Sequence, residues 1–150
     1  MASGSKQTSH DHLHRNQDSP HLHRNQDSPL PRGVKRFVKR VSAHVIGEAY
    51  RRINRRLGAK CDRTRGMSVC YGAKVRIWAR GGTTIGTTYA TSSRRGYRSA
   101  ARLAHERVHV AQWKRYGAVG FAIRYGKAGK NPCRNRYERQ AGLRRGGYRC

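Results

Sequence analysis

His105 and His109 stand four residues apart in "LAHERVHVAQW", residues 103 to 113, with Glu106 directly after the first histidine. On a helix that spacing places both imidazoles on one face, one turn above each other, so that both reach a single metal ion. Glu106 is rotated by about 100° from His105. Its carboxylate therefore lies beside such an ion without having to bind it, the place for a general base acting on a zinc-bound water. Gln112, three residues past His109 on the same side, is placed to hydrogen-bond the site and orient a ligand. The competing reading of the same residues is two solvated helix histidines with Glu106 paired to a local arginine.

A catalytic zinc ion takes three protein ligands and keeps one position open, so a third ligand must come from elsewhere. From residue 50 onward the only carboxylate side chains are Asp62, Glu106 and Glu138. In so cationic a stretch, two of those acids fall where a zinc hydrolase would want them. Glu138 sits in "NRYERQA", a segment with helical character 29 residues after His109.

Taken together, "HERVH", the following "VAQW" and the later "YERQA" resemble the small bacterial HExxH zincin-like metallopeptidases of gluzincin type, with HExxHxxQ and a downstream YExxA glutamate. The resemblance spans roughly residues 68 to 143. It implies a compact α+β domain with a small antiparallel sheet or hairpin, an active-site helix and a downstream ligand helix. It further implies that His105, His109 and Glu138 bind Zn2+ and that Glu106 is the base in hydrolysis of a peptide bond by a zinc-activated water. Two positions depart from the pattern: Arg107 stands where these domains carry an uncharged residue, and Gln140 where they often carry a second acid. The donor that would steady the oxyanion is left open among Tyr125, Tyr137, Tyr148 and the arginines.

The elements that must position these residues are readable in outline. Val34, Phe37, Val38, Val41, Val45, Ala49, Ile53 and Leu57 recur at three- and four-residue steps before Gly58, which predicts a helix. Its apolar stripe is expected to pack on the core and its many cations to face water, although a basic amphipathic helix also suits a membrane or a phosphate backbone. Residues 68 to 78 and 83 to 91 are β-branched and aromatic and are separated by "ARGG", which reads as a hairpin. In "SSRRGYRSAARLAHERVHVAQWKRYG" a helical stretch should follow candidate serine caps at Ser92, Ser93 and Ser99 and end at Gly117. "AVGFAIRYG" suggests a short helix, and "CRNRYERQAGL" a last one.

Residues 1 to 29 contain "HLHRNQDSP" twice in tandem, the signature of a disordered, histidine-bearing tail. The expected folded domain is residues 30 to 150. The formal charge is +27, and because the tail is balanced the whole excess lies in residues 30 to 150. That charge predicts a polyanionic partner such as nucleic acid, an anionic membrane or an acidic protein, with steep salt dependence. For a peptidase it predicts a protein or peptide substrate of acidic character. Non-enzymatic alternatives remain beside it: a polycationic nucleic-acid-binding protein, or a structural or effector protein on a zincin-like fold. The first residues lack an apolar signal region, and no apolar run approaches the ~18 residues of a membrane span, so the expected location is cytoplasmic or reached by a non-classical route. Cys61, Cys70, Cys133 and Cys150 allow three pairings and contain no C-x-x-C. If one bridge forms, Cys61 to Cys70 is favoured, because the glycine-containing turn between them can bring their ends together.

Overall fold

The computed structural model describes residues 30–77, 81–93 and 98–150; the duplicated tail lies outside the described residues. Helix α1 (Arg32–Arg56) is followed by strands β1 (Lys60–Thr64), β2 (Met67–Tyr71), β3 (Gly82–Ile85) and β4 (Thr88–Thr91). Helices α2 (Ala100–Tyr116), α3 (Ala118–Lys127) and α4 (Arg136–Ala141) complete an α+β fold.

The sheet has the order β1-β2-β4-β3. It is not the single antiparallel hairpin expected from residues 68 to 91. β1 pairs antiparallel with β2, β3 antiparallel with β4, and the two central strands β2 and β4 run parallel. The two-residue connections explain the difference. Thr64 faces Met67 across a turn made by Arg65 and Gly66, both in the left-handed region at φ 44° and 80°, and such a turn follows the natural twist of a hairpin. Ile85 likewise faces Thr88 across Gly86 and Thr87, with Gly86 at φ 57°. Each strand run therefore folds back on a nearer neighbour, and β2 and β3 are not paired with each other; residues 78–80 lie outside the described residues. The expected Cys61–Cys70 disulfide forms across β1 and β2, where the two residues are register partners, and a second bridge joins Cys133 to Cys150.

α1 departs from expectation in which face it buries. Ala43, Gly47, Tyr50 and Asn54 are inside, whereas Val34, Phe37, Val38, Val41, Val45, Ile53 and Leu57 are exposed. Close approach decides this. A Cβ added at Gly47 would meet the Thr87 nitrogen at 2.4 Å, and one at Gly86 would meet the Ala43 carbonyl oxygen at 2.1 Å. Thr88 Oγ1 also donates to the Gly47 carbonyl at 2.8 Å. Only the small-residue face of α1 fits this tightly against the β3–β4 turn, so the larger apolar side chains are turned outward.

α2 occupies the centre, packed against α1, α3, α4 and β3. Ser99 caps its start, with Oγ accepting from the Arg102 amide at 3.2 Å, and Gly117 ends it at φ 76°, as read from the sequence. Val110 joins Met67, Val69 and Tyr89 on the sheet side, and Trp113 joins Ala43, Phe121 and Tyr137 on the helical side. With both flanks of α2 anchored, its remaining face, carrying His105, Glu106 and His109, is held rigidly over the space between β3 and α4.

Candidate metal centre

His105 and His109 project from one side of α2 as their spacing requires, and Glu138 reaches them from α4. All three are buried. Each offers a ligand atom, and these atoms lie within 4.8 Å of one another, so the group could hold a metal ion. His105 Nε2 is 3.1 Å from His109 Nε2. The Glu138 carboxylate stands 3.1 Å from the first of these nitrogens and 3.5 Å from the second.

The surrounding groups decide where the imidazole protons sit. His105 Nδ1 is 3.1 Å from the Gly142 carbonyl oxygen; a carbonyl only accepts, so Nδ1 carries the hydrogen. Gln112 Nε2 donates to the Tyr137 carbonyl and to Gln140 Oε1, both at 3.2 Å. This turns Gln112 Oε1 toward His109 Nδ1 at 2.8 Å, where it accepts that hydrogen. With their hydrogens at Nδ1, the two rings can present bare Nε2 lone pairs to each other and to the carboxylate. Glu138 Oε2 has no hydrogen-bond donor, and Tyr125 donates its hydroxyl hydrogen to Oε1. Acceptors converging without donors between them repel one another unless a cation is shared, which is the chemistry of a metal site.

α4 supplies more than its glutamate. Asn135 caps it, accepting from the Tyr137 amide at 2.9 Å. The helix then contributes the Glu138 side chain, the Tyr137 carbonyl that orients Gln112, and at its end the Gly142 carbonyl that orients His105. Gln140 accepts from Gln112 at 3.2 Å.

Glu106 is buried beside the triad but outside it. Thr84 Oγ1 donates to its Oε2 at 2.6 Å, and Arg102 Nε lies 2.8 Å from its Oε1. The pairing of Glu106 with a local arginine therefore exists alongside the convergent histidines, and the histidines are buried rather than solvated. A cavity of ≈ 320 Å³ contains all four sequence-predicted site residues, with Thr84, Arg102, Tyr125, Lys130 and Tyr148 also on its walls. Of the three tyrosines considered for an oxyanion, Tyr125 and Tyr148 reach the cavity. Tyr137 belongs to the core, where its hydroxyl accepts from Arg136 at 2.7 Å.

The sequence offered Glu106 a local arginine without naming it and did not place Gly146 at the site. Arg102 sits four residues before Glu106, the spacing of a helical ion pair, and it also donates to the Gly146 carbonyl. Gly146 touches the site directly: a Cβ there would come within 2.7 Å of His105 Cε1. The Cys133–Cys150 bridge ties down the segment carrying Gly146 and Tyr148. Arg107, the departure inside the histidine motif, is half-buried and does not line the cavity.

Comparison with protein-family models, curated proteins and solved structures found no match to this chain.

Proposed function

We infer that this chain is a zinc-dependent metallopeptidase in which His105, His109 and Glu138 hold the metal and Glu106 is the general base. One observation carries the reading: two imidazoles whose tautomers are fixed by carbonyl and amide oxygens aim bare Nε2 atoms at a carboxylate oxygen without a donor. Two histidines and a glutamate are a donor set that catalytic zinc takes. When bound, zinc supplies a Lewis acid that polarises a carbonyl and lowers the pKa of water.

The chain's own groups supply the rest. Glu106, fixed by Thr84 and Arg102, takes a proton from the attacking water and passes it to the leaving amine. Tyr148 packs its ring against His105 at 5.9 Å between centroids. Burial pushes its phenol up to about 12, so it keeps its hydrogen near neutral pH and can donate to a developing oxyanion. Substrate class follows from two features. β3 is an edge strand of the described sheet, and its residues Gly82, Thr83 and Thr84 line the cavity, the position at which an extended peptide is added. Within the cavity Arg102 and Lys130 are matched by Glu106 and Glu138, so the preference for acidic side chains in that peptide rests on the chain's formal charge of +27.

Elemental analysis of the purified chain and of His109→Ala and Glu138→Ala variants is the test. The reading requires about one zinc per chain, lost in both variants, while Glu106→Gln keeps zinc and loses hydrolysis of acidic peptides. Zinc content unmoved by either ligand substitution would overturn the site. A preference for basic over matched acidic peptides would overturn the substrate class. The formal charge of +27 supports a second reading, polyanion binding without catalysis; a metal-free protein whose nucleic-acid affinity falls steeply with salt would favour it.

A further inference from the structure

The outward face of α1 is unusual for a helix packed on a domain. Every residue from Leu30 to Val41 is exposed, and the exposed set includes Leu30, Val34, Phe37, Val38, Val41 and Val45, with Phe37 at 67%. At 100° per residue these side chains fall within an arc of about 100°, roughly 160° away from the buried Ala43–Gly47–Tyr50–Asn54 face. The helix is therefore apolar on the side that the fold leaves uncovered.

Charge identifies what suits that side. Lys35 and Arg40 border the stripe, Arg32, Arg36 and Lys39 lie on the opposite side of the helix, and the first acid in the helix is Glu48. The neighbouring groove on α2 adds Lys114 and Arg115. A nucleic-acid backbone would satisfy these cations but leave the apolar ridge in water. A second copy of the chain could cover the ridge only by bringing two cationic flanks together. An apolar face bordered by Lys35 and Arg40 and backed by Arg32, Arg36 and Lys39 matches the boundary between anionic headgroups and acyl chains, with the long basic side chains reaching the headgroups.

We propose that the first half of α1 is a docking surface for an anionic lipid bilayer, lying in the interface plane with Phe37 and Val41 inserted. None of the described helices is long and apolar enough to cross a membrane, so this contact is peripheral. It leaves the cavity between β3 and α4 on another part of the molecule and does not depend on the metal reading.

Co-sedimentation with vesicles of equimolar phosphatidylglycerol and phosphatidylcholine tests it, using the full chain and its Phe37→Ser/Val41→Ser variant. The variant keeps the net charge, and both side chains are exposed, so its thermal unfolding should match the parent. The parent should bind anionic vesicles far better than pure phosphatidylcholine and retain binding in about 0.5 M salt, where charges are screened beyond roughly 4 Å. The variant should lose at least about tenfold in affinity under that condition. Equal binding by parent and variant would overturn the proposal and reduce vesicle binding to adsorption of a polycation. A matching loss of affinity for duplex DNA would also overturn it, because the ridge would then serve nucleic acid.

Discussion

His105 Nε2 and His109 Nε2 lie 3.1 Å apart although each ring has already committed its hydrogen at Nδ1, one to the Gly142 carbonyl and the other to Gln112. Neutral imidazoles so arranged have nothing to give each other. The contact is favourable only when a proton or a metal ion sits among the two nitrogens and Glu138, and the first predictions follow from that competition.

Gln112 is the group that holds His109 in its tautomer. Gln112→Ala should leave α2 intact and weaken zinc binding by about 10- to 100-fold. Competition with a chromophoric chelator would measure this, and unchanged affinity would show that the orientation of His109 has another source.

Without metal, the site should hold a proton instead. Burial opposes a charged His109, but its bond to Glu138 and the charges of Glu106 and Glu138 outweigh burial and raise its pKa above the ordinary 6.5. Burial likewise opposes an ionised Glu138, yet His105 and His109, donating from Nε2 once the site has taken up a proton, hold its pKa below the usual 4.5. The raised histidine contributes stability that is complete below pH 6.5 and fades as pH rises through its folded value. The depressed glutamate contributes above pH 4.5 and fades as pH falls through its own folded value. Metal-free protein should therefore be most stable between pH 4.5 and 6.5, and zinc, which displaces the proton, should raise the melting temperature mainly above that window. Melting curves with chelator and with zinc across pH check this; a metal-free optimum well above neutrality would contradict it.

Arg102 pairs with buried Glu106 and with the Gly146 carbonyl. Arg102→Ala leaves a buried carboxylate unpaired and should cost about 3–5 kcal/mol, read by denaturant unfolding. The double variant Arg102→Ala/Glu106→Gln should recover part of that loss. No recovery would place the role of Arg102 in the C-terminal contact alone.

Gly146→Ala should act on the metal site from outside the ligand set. The added methyl would press on His105 Cε1 and on the Tyr148 ring, an overpacking cost of about 1–3 kcal/mol, and should lower zinc affinity along with stability. Stability lost with zinc affinity intact would mean that the C-terminal segment yields instead of the imidazole.

The site was more legible in the sequence than the sheet. The limits of α2 are written in Ser99 and Gly117, and Glu138 stood out because acids are so rare around it. Strand pairing was less accessible: it turns on two dipeptides, Arg65–Gly66 and Gly86–Thr87, whose left-handed residues send each run back to a nearer partner. The face that α1 buries was misjudged because apolarity was the guide, whereas the space available beside Gly86 and Thr87 admits only Ala43 and Gly47. Gln112, which fixes the tautomer of His109, was legible from its spacing, whereas the main-chain carbonyl of Gly142 that fixes the tautomer of His105 is a group to which no side-chain pattern points. Arg102, by contrast, was within reach, since an arginine four residues before a buried glutamate on a helix is a recognisable pair.

The Cys133–Cys150 bridge holds the wall that carries Gly146 and Tyr148 against His105. The ligands themselves come from α2 and α4 and owe nothing to sulfur chemistry, but the enclosure around them does. Reducing surroundings leave that wall fastened by non-covalent contacts, among them the Arg102 bond to Gly146, the Tyr148 ring and the backbone bonds of Gly146 and Tyr148, whereas oxidising ones close it covalently. The wall of the pocket, unlike its ligands, is thus tied to the oxidation state of one cysteine pair.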